Sequence, residues 1–261
     1  DILHQRQTVA STFQRGTLPS TGLSVEYAVL ESDTTQVGVQ AAEGDDLDFG
    51  KVAIETKTAP VVTLGGWTSL SRQAIERTSN VSILDTAFRA MAEKYGRAVE
   101  ARARAALNSA ITAADSIEGD LTTQTGIVTA LLELAEHFDT NGLSLDGLFV
   151  SRDVFLGLYG VDSTDRVLQV TGAPTDKVGT VSVNSLSGNV AGVPVRVLPG
   201  ATAGTVAAYD ATAIRTLESA GAPIRLQDEN VINLSKDFSV YGYVASFVQR
   251  PDGIVTVTEG A

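Results

Sequence analysis

Between Ser82 and Ala110 the chain reads SILDTAFRAMAEKYGRAVEARARAALNSA, with no proline and a single interior glycine, Gly96. Ala, Leu, Arg, Glu and Met dominate this stretch, and all lose little rotamer freedom in a helix. Ile83, Leu84, Ala87, Phe88, Met91, Tyr95, Ala98, Val99 and Arg102 recur at spacings of three and four, which predicts one inward-facing stripe. Arg89–Glu93, Glu93–Arg97 and Glu100–Arg104 are four apart and predict ion pairs on the opposite face. Asn80 or Ser82 is suited to cap the start, and Asp85 falls in the first turn, where the helix dipole favours an anion. At 1.5 Å per residue such a helix is roughly 40 Å long, the width of a domain. In a chain otherwise rich in Val, Thr and Gly, it predicts a spine with sheets laid along it.

The rest of the composition removes whole classes of chemistry. A chain of 261 residues without cysteine has no disulfide framework, thiolate metal site or cysteine nucleophile. His4 and His137 are its only histidines, so a zinc site or a serine–histidine pair would rest on one of them. His137 instead reads as a surface residue near a helix end. A formal net charge of −12 argues against a nucleic-acid-binding face, which needs clustered Lys and Arg. No segment approaches the roughly 18 apolar residues of a membrane span.

Residues 1–35, with turn formers at Gly16, Pro19 and Gly22, read as an extended arm; Val25, Tyr27 and Val29 alternate and allow a short strand. Residues 36–66 read as a long two-stranded hairpin, QVGVQAA rising and KVAIETKTAPVVTL descending around EGDDLDFG. An isolated two-stranded ribbon is marginal in water, so this one needs a surface to lie on. Its acidic tip (Glu43, Asp45, Asp46, Asp48) superficially suggests a calcium loop but lacks the spaced ligand pattern and terminal glutamate, and reads as a solvated tip. Trp67 is expected to be a core or interface anchor, at the opening of a short helix capped by Ser69 or Ser71. Beyond the spine, a helix over about 125–138 buries Ile127, Val128, Leu131, Leu132, Leu134 and Ala135 and ends at Asn141-Gly142. Strands follow at 145–151, at 180–186 and 191–198 across a Ser187-Gly188-Asn189 turn, at 205–210, and through the closing segment. Residues 67–120 with 225–261 are expected to form one lobe, and 121–224 a second lobe inserted into it.

No phosphate loop, dinucleotide fingerprint, H-E-x-x-H or G-x-S-x-G occurs, and the expectation is a protein that is not an enzyme and has no cofactor. Three segments carry a resemblance instead. KTAPVVTLGGWTSLSRQAIERTSNVSILDTAFRAMAEKYGRAVEARARAAL, LSGNVAGVPVRVLPG with TVAAYDATAIRTLES, and DFSVYGYVASFVQRPDGIVTV resemble, in that order, parts of the major capsid proteins of tailed bacteriophages with the HK97-type fold. The resemblance implies an α+β chain with an N-terminal arm, an extended hairpin loop, a spine helix in a peripheral lobe (67–120 and 225–261) and an axial lobe (121–224). It implies self-assembly through hexamers and pentamers into an icosahedral shell enclosing phage DNA without sequence-specific binding, in the virion and assembled in the host cytoplasm. A scaffold segment or protein, a portal and a maturation protease are its implied partners, with no membrane; proteolysis of a leader would account for a start at Asp1. An encapsulin-like cellular compartment is the alternative of the same fold, and a calcium-dependent hydrolase or sugar-binding protein the alternative of another class. Lys51, Lys57, Glu43, Asp45, Asp46, Asp48, Trp67 and Asn233 are the candidates for contacts between subunits. Some members of the family join a hairpin lysine to an asparagine with help from a buried glutamate; here Lys51, Lys57 and Asn233 occupy comparable places. No acid lies between Phe238 and Gln249, so no crosslink is expected.

Overall fold

The computed structural model describes residues 8–35, 37–40, 46, 49–77, 83–160, 169–170, 179–182, 187–232 and 234–259. In chain order the elements are β1 (Gln14–Thr17), β2 (Ser24–Asp33), β3 (Val52–Pro60), β4 (Val62–Ser71), α1 (Arg72–Arg77) and α2 (Ile83–Ala113). There follow β5 (Asp115–Gly119), α3 (Gln124–Thr140), β6 (Gly147–Val150), α4 (Arg152–Gly160), β7 (Gln169–Val170), β8 (Gly179–Ser182) and β9 (Ser187–Val190). The chain closes with β10 (Val193–Val197), β11 (Val206–Tyr209), β12 (Ile214–Glu218), β13 (Ile224–Asn230), β14 (Ser235–Val248) and β15 (Ile254–Glu259). Two compact units result: Asp1–Ala106 with Ile214–Arg250, and Leu107–Ala213 with Pro251–Ala261.

In the first unit β14 is the central strand. It pairs antiparallel with β12 and β13 along one edge and with β4 over Val62–Ser71 along the other, while β1 adds in parallel to β12. Tyr95 and Val99 of α2 pack on Val240 and Val244 of β14, with Phe88 and Met91 partly buried beside them. The predicted stripe is therefore correct over its middle. It fails at Arg102, which is exposed, and at Glu100, which is buried although its spacing put it on the polar face. Of the predicted ion pairs Glu93–Arg97 and Glu100–Arg104 form, at 2.8 and 2.9 Å, but Arg89 pairs with Asp85 at 3.0 Å. Both proposed caps, Asn80 and Ser82, lie outside the described residues.

The second unit is built on a sheet of order β5-β15-β11-β6-β10-β9-β8-β7. Ile127, Leu131, Leu134 and Phe138 of α3 recur at helical spacing and fill one core with Leu148, Val150, Val195, Val206 and Val255. Burying each such side chain is worth roughly 1.5–3 kcal/mol. Leu132 and Ala135, expected on that face, are exposed because at 100° per residue they sit about 130° and 70° round from its centre, both on the same side. Thr123 Oγ1 caps the helix by accepting from Gly126 N at 3.1 Å. Its end is sealed at Gly142 (φ 65°), with Leu143 N donating to Phe138 O and Gly142 N to Asp139 O.

Three expectations are corrected here. The rising strand of the hairpin is β2, paired with β3 from Ser24↔Pro60 to Asp33↔Val52, so the arm does not extend to residue 35. Val37 and Val39, the apolar half of QVGVQAA, are fully exposed and outside any strand. The descending chain does not pass into a helix at Trp67 but continues as β4, held by ten-residue pairing to β14; Ser71 then caps α1 by accepting from Ala74 N at 3.2 Å. Ser187-Gly188-Asn189 lie within β9, and the turn falls at Ala191-Gly192, whose φ values of 50° and 92° fit a tight two-residue hairpin. The division between the units also differs from the expected lobes: β12 belongs to the first, whereas β15 pairs with β5 and β11 and closes the second.

Candidate assembly surface

Among the described residues the β2–β3 hairpin is anchored at its root. At its root Tyr27 stacks on Phe247 of β14, with ring centroids 4.1 Å apart and planes 23° from parallel. Leu18, Ala59, Leu217 and Ala245 complete that small core. Toward the distal end Leu30 faces Ile54 and Asp33 faces Val52 across the ladder, with a bulge between Leu30 and Ser32. Leu30, Val52 and Ile54 are all exposed there, as is Phe49 beyond the strand. Apolar side chains on a ribbon without a second layer leave its stabilisation to some other surface.

The expected contact residues separate along this element. Lys57 sits on β3 opposite Tyr27 and pairs with Glu55 at 3.1 Å, both side chains about half exposed. Lys51 holds the far end of the ladder through its backbone: its N donates to Thr34 Oγ1 at 2.9 Å and its O accepts from Thr34 N. Asp46 is exposed, whereas Glu43, Asp45, Asp48 and Asn233 lie outside the described residues. No group of three or more His, Cys, Asp or Glu suited to a metal ion occurs among the described residues. Trp67 is not in a core; it stands on β4 opposite Ser239 and is 75% exposed. It borders a groove of about 450 Å³ that β4 and α2 form together, lined also by Leu64, Gly66, Ala87, Met91 and Lys94.

The N-terminal turn is tied to the spine by a residue the periodicity misassigned. Glu100 Oε1 accepts from Thr8 Oγ1 at 2.9 Å and Val9 N at 3.0 Å, Oε2 from Ala10 N at 3.0 Å, and Arg104 Nε donates to Oε1 at 2.9 Å. Burial alone would raise this carboxyl's pKa, but the Ala10 and Val9 amides, Arg104 and Thr8 outweigh it and hold it below the ordinary glutamate range. A buried carboxylate satisfied by four donors is a fixed attachment point. The only trace of it in the sequence is an acid between Val99 and Ala103, at positions that are otherwise inward.

Asp210, the acid that ends β11, plays the equivalent part in the second unit. It is 4% exposed and accepts from Ser144 N at 2.9 Å, Thr212 N at 2.6 Å and Thr212 Oγ1 at 2.5 Å. Desolvation is again outweighed by these bonds, and its pKa lies below the usual aspartate range. Its hydrogen bonds join the loop before β6 to the turn after β11 and are structural.

A second exposed apolar feature is the β13–β14 turn, where Val231 and Ile232 are 84% and 97% exposed. Arg72–Glu76 (2.6 Å) and Lys236–Glu229 (3.2 Å) flank its base. The chain thus presents several apolar edges with ion pairs around them, a pattern suited to contact with other protein surfaces.

Known proteins resemble this arrangement. The capsid of an empty GTA particle matches with a TM-score of 0.67 at 12% identity, covering 98% of this chain and 90% of that one. The capsid of cyanophage P-SCSP1u matches at 0.64 and 13%, covering 95% and 86%. A chain from Microbacterium phage Oxtober96 matches at 0.63 and 14%, covering 97% and 91%. At such identities the likeness establishes the fold, which is that of the HK97-like capsid proteins. No curated protein matches the chain significantly in sequence. A sequence-family model described as phage capsid protein, however, matches residues 54–257, most of the chain from mid-hairpin to β15. The chain belongs to this phage capsid protein family and is a structural, shell-forming protein.

Proposed function

We propose that copies of this shell protein assemble through hexamers and pentamers into the icosahedral capsid of a tailed phage. The observation that carries this is the hairpin, whose root is packed while its distal Leu30, Val52 and Ile54 face solvent. In this reading the hairpin lies across an adjacent subunit, and the first unit forms the periphery of each capsomer. The second unit crowds around the fivefold and sixfold centres. Lys57, Trp67, the acidic tip and Asn233 contribute contacts between subunits. The contact is heterologous, one surface meeting a different one, and such contacts close into rings. A net charge of −12 suits a wall that encloses DNA without gripping it. A scaffold, a portal and a maturation protease act with it during assembly in the host cytoplasm. The protein itself catalyses nothing in this reading. The family match favours a phage shell over the encapsulin-like alternative.

Electron microscopy of the purified chain, with sedimentation velocity on the same sample, tests the proposal. Closed shells, or five- and six-membered rings, are expected. A monomer that persists across salt and pH and in the presence of the cognate scaffold refutes it.

A further inference from the structure

We propose that the outer edge of β4 pairs antiparallel with the same edge of a second copy, about a twofold axis at Gly66, so that two sheets join into one. The inference rests on the shell reading and deepens it, since it names a contact that relates two copies by a twofold axis.

β4 is bonded along one edge. Among the described residues β14 is the one strand it pairs with, over Val62–Ser71 and without a register shift. In an antiparallel ladder alternate residues turn their N–H and C=O away from the partner. The far edge of β4 therefore carries a row of backbone groups with no partner strand among the described residues. Proteins commonly blunt such an edge with a lysine, a proline or a bulge. The strand VTLGGWTSLS has no charged residue and no proline, and its pairing shows no bulge. An edge of this kind takes up a further strand, and without charges it meets no like-charge repulsion from a copy of itself.

The side chains select the register. Leu64 packs with Met91 and Tyr95 of α2, so the even-numbered residues of β4 face the helix. Thr63, Gly65, Trp67 and Ser69 share the opposite face, and all four are exposed. Pairing centred on Gly66 keeps both α2 helices on one side of the joined sheet. It sets Trp67 opposite the second copy's Gly65, and Thr63 opposite that copy's Ser69. A tryptophan laid over a cross-strand glycine covers backbone that is otherwise bare. Tyr241, the β14 partner of Gly65, continues that row and makes an edge-on pair with Tyr243, so the indole meets an aromatic surface. In the single chain the same indole is 75% exposed. Thr63 and Ser69 are suited to a hydroxyl–hydroxyl bond across the strands. Gly66 itself falls on the axis. Nothing lies within 4 Å of where its Cβ would stand, and its φ is outside the left-handed region, so the single chain does not require glycine there. A glycine inside a strand commonly marks the close approach of another backbone. The contact is isologous, one edge meeting its own copy, and it closes on a pair.

The chain has no cysteine, so introduced cysteines report the contact directly. Only a twofold axis brings a residue beside its own copy. Full-length Gly66→Cys is assembled with its scaffold, and shells verified by electron microscopy are treated with a short bismaleimide and run on a denaturing gel. A band at twice the chain's 27.3 kDa is expected from shells and not from dissociated subunits. Ser69→Cys alone should stay at the single-chain position, because its copies stand on opposite sides of the axis. Shells co-assembled from Thr63→Cys and Ser69→Cys chains should give the doubled band. That mixture leaves Gly66 intact and decides the matter if Gly66→Cys forms no shells. Shells in which neither Gly66→Cys nor the mixture joins overturn the edge pairing and leave the shell reading standing. Ser69→Cys that joins to itself as readily as Gly66→Cys overturns the register and with it the proposal. A wild-type chain that forms no shell with its scaffold overturns both readings.

Discussion

A glutamate four residues before an arginine on an amphipathic helix is ordinarily a solvated ion pair worth a few tenths of a kcal/mol. Glu100 has that spacing to Arg104, yet it is buried because the turn at Thr8–Ala10 is folded over it. Replacing it by Ala leaves two buried amides without acceptors. At about 1–3 kcal/mol for each such group, Glu100→Ala should cost the first unit roughly 2–6 kcal/mol. Urea denaturation measures this, and limited proteolysis should show cleavage at residues 8–13. The same bonds set a pH dependence. The folded carboxyl's pKa is below that of the unfolded chain, so its stabilisation is complete above the ordinary glutamate pKa and is lost as pH falls through the depressed value. Exchange protection of the Val9 and Ala10 amides should persist while free glutamates protonate and fade only on further acidification. Tyr95 presents the opposite case. Its hydroxyl is buried with no partner at good hydrogen-bond geometry among the described residues, and burial first, then the charge and side chain of nearby Glu218, push its pKa well above the usual tyrosine range. Tyr95→Phe should therefore be neutral to slightly stabilising. A Cβ at Gly242 would overlap that hydroxyl, so Gly242→Ala should destabilise by about 1–3 kcal/mol as overpacking does. Part of that loss should return in the double variant, a coupling that a thermodynamic cycle measures directly.

For the hairpin, root and distal end predict different phenotypes. Tyr27→Ala removes the stack on Phe247 and should lower the melting temperature, at a cost of roughly 2–4 kcal/mol for a partly buried aromatic. Ile54→Asp changes an exposed position and should leave stability within about 0.5 kcal/mol, while electron microscopy shows no shells. If Ile54→Asp still gives normal shells, the distal ribbon is not an interface. The contrast between elements also explains what was legible in the sequence. The periodicity of α2 and α3, and the Asn141-Gly142 stop, are local and sufficient, so both helices lie within a few residues of expectation. The rising hairpin strand was not legible in that way, because Val25-Glu26-Tyr27 and Val37-Gly38-Val39 alternate equally well. What decides between them is Phe247 and Leu217, some two hundred residues downstream. Glu100 was misjudged for the same reason, and of the two expectations for Trp67 the core one fails. The acid is buried by a distant turn, and the indole stands on β4 uncovered by any of the described residues.

For the whole molecule the remaining question is whether the shell is held by covalent bonds. Joining a lysine amine to an asparagine amide requires the lysine to lose its proton, and a buried carboxylate that is free to accept it. Among the described residues the buried carboxylates are Glu100 and Asp210. Each is already saturated: Glu100 by Thr8, Val9, Ala10 and Arg104, and Asp210 by Ser144 and Thr212. Lys57 is engaged by Glu55, and the strand from Phe238 to Val248 carries no acid to take the base's place. Among the described residues the buried carboxylates are thus committed to folding, and Lys57 is committed to an ion pair. We therefore expect a noncovalent shell, held by apolar burial at the hairpin and by exposed ion pairs worth about 0–1 kcal/mol each. Shells boiled in detergent should run on a denaturing gel as one band at 27.3 kDa. Lys57→Ala should leave that pattern unchanged and shift the shells' dissociation midpoint in denaturant only slightly. A ladder of multiples that collapses to the single band in Lys57→Ala or Lys51→Ala would identify the lysine and require a base supplied by a neighbouring subunit.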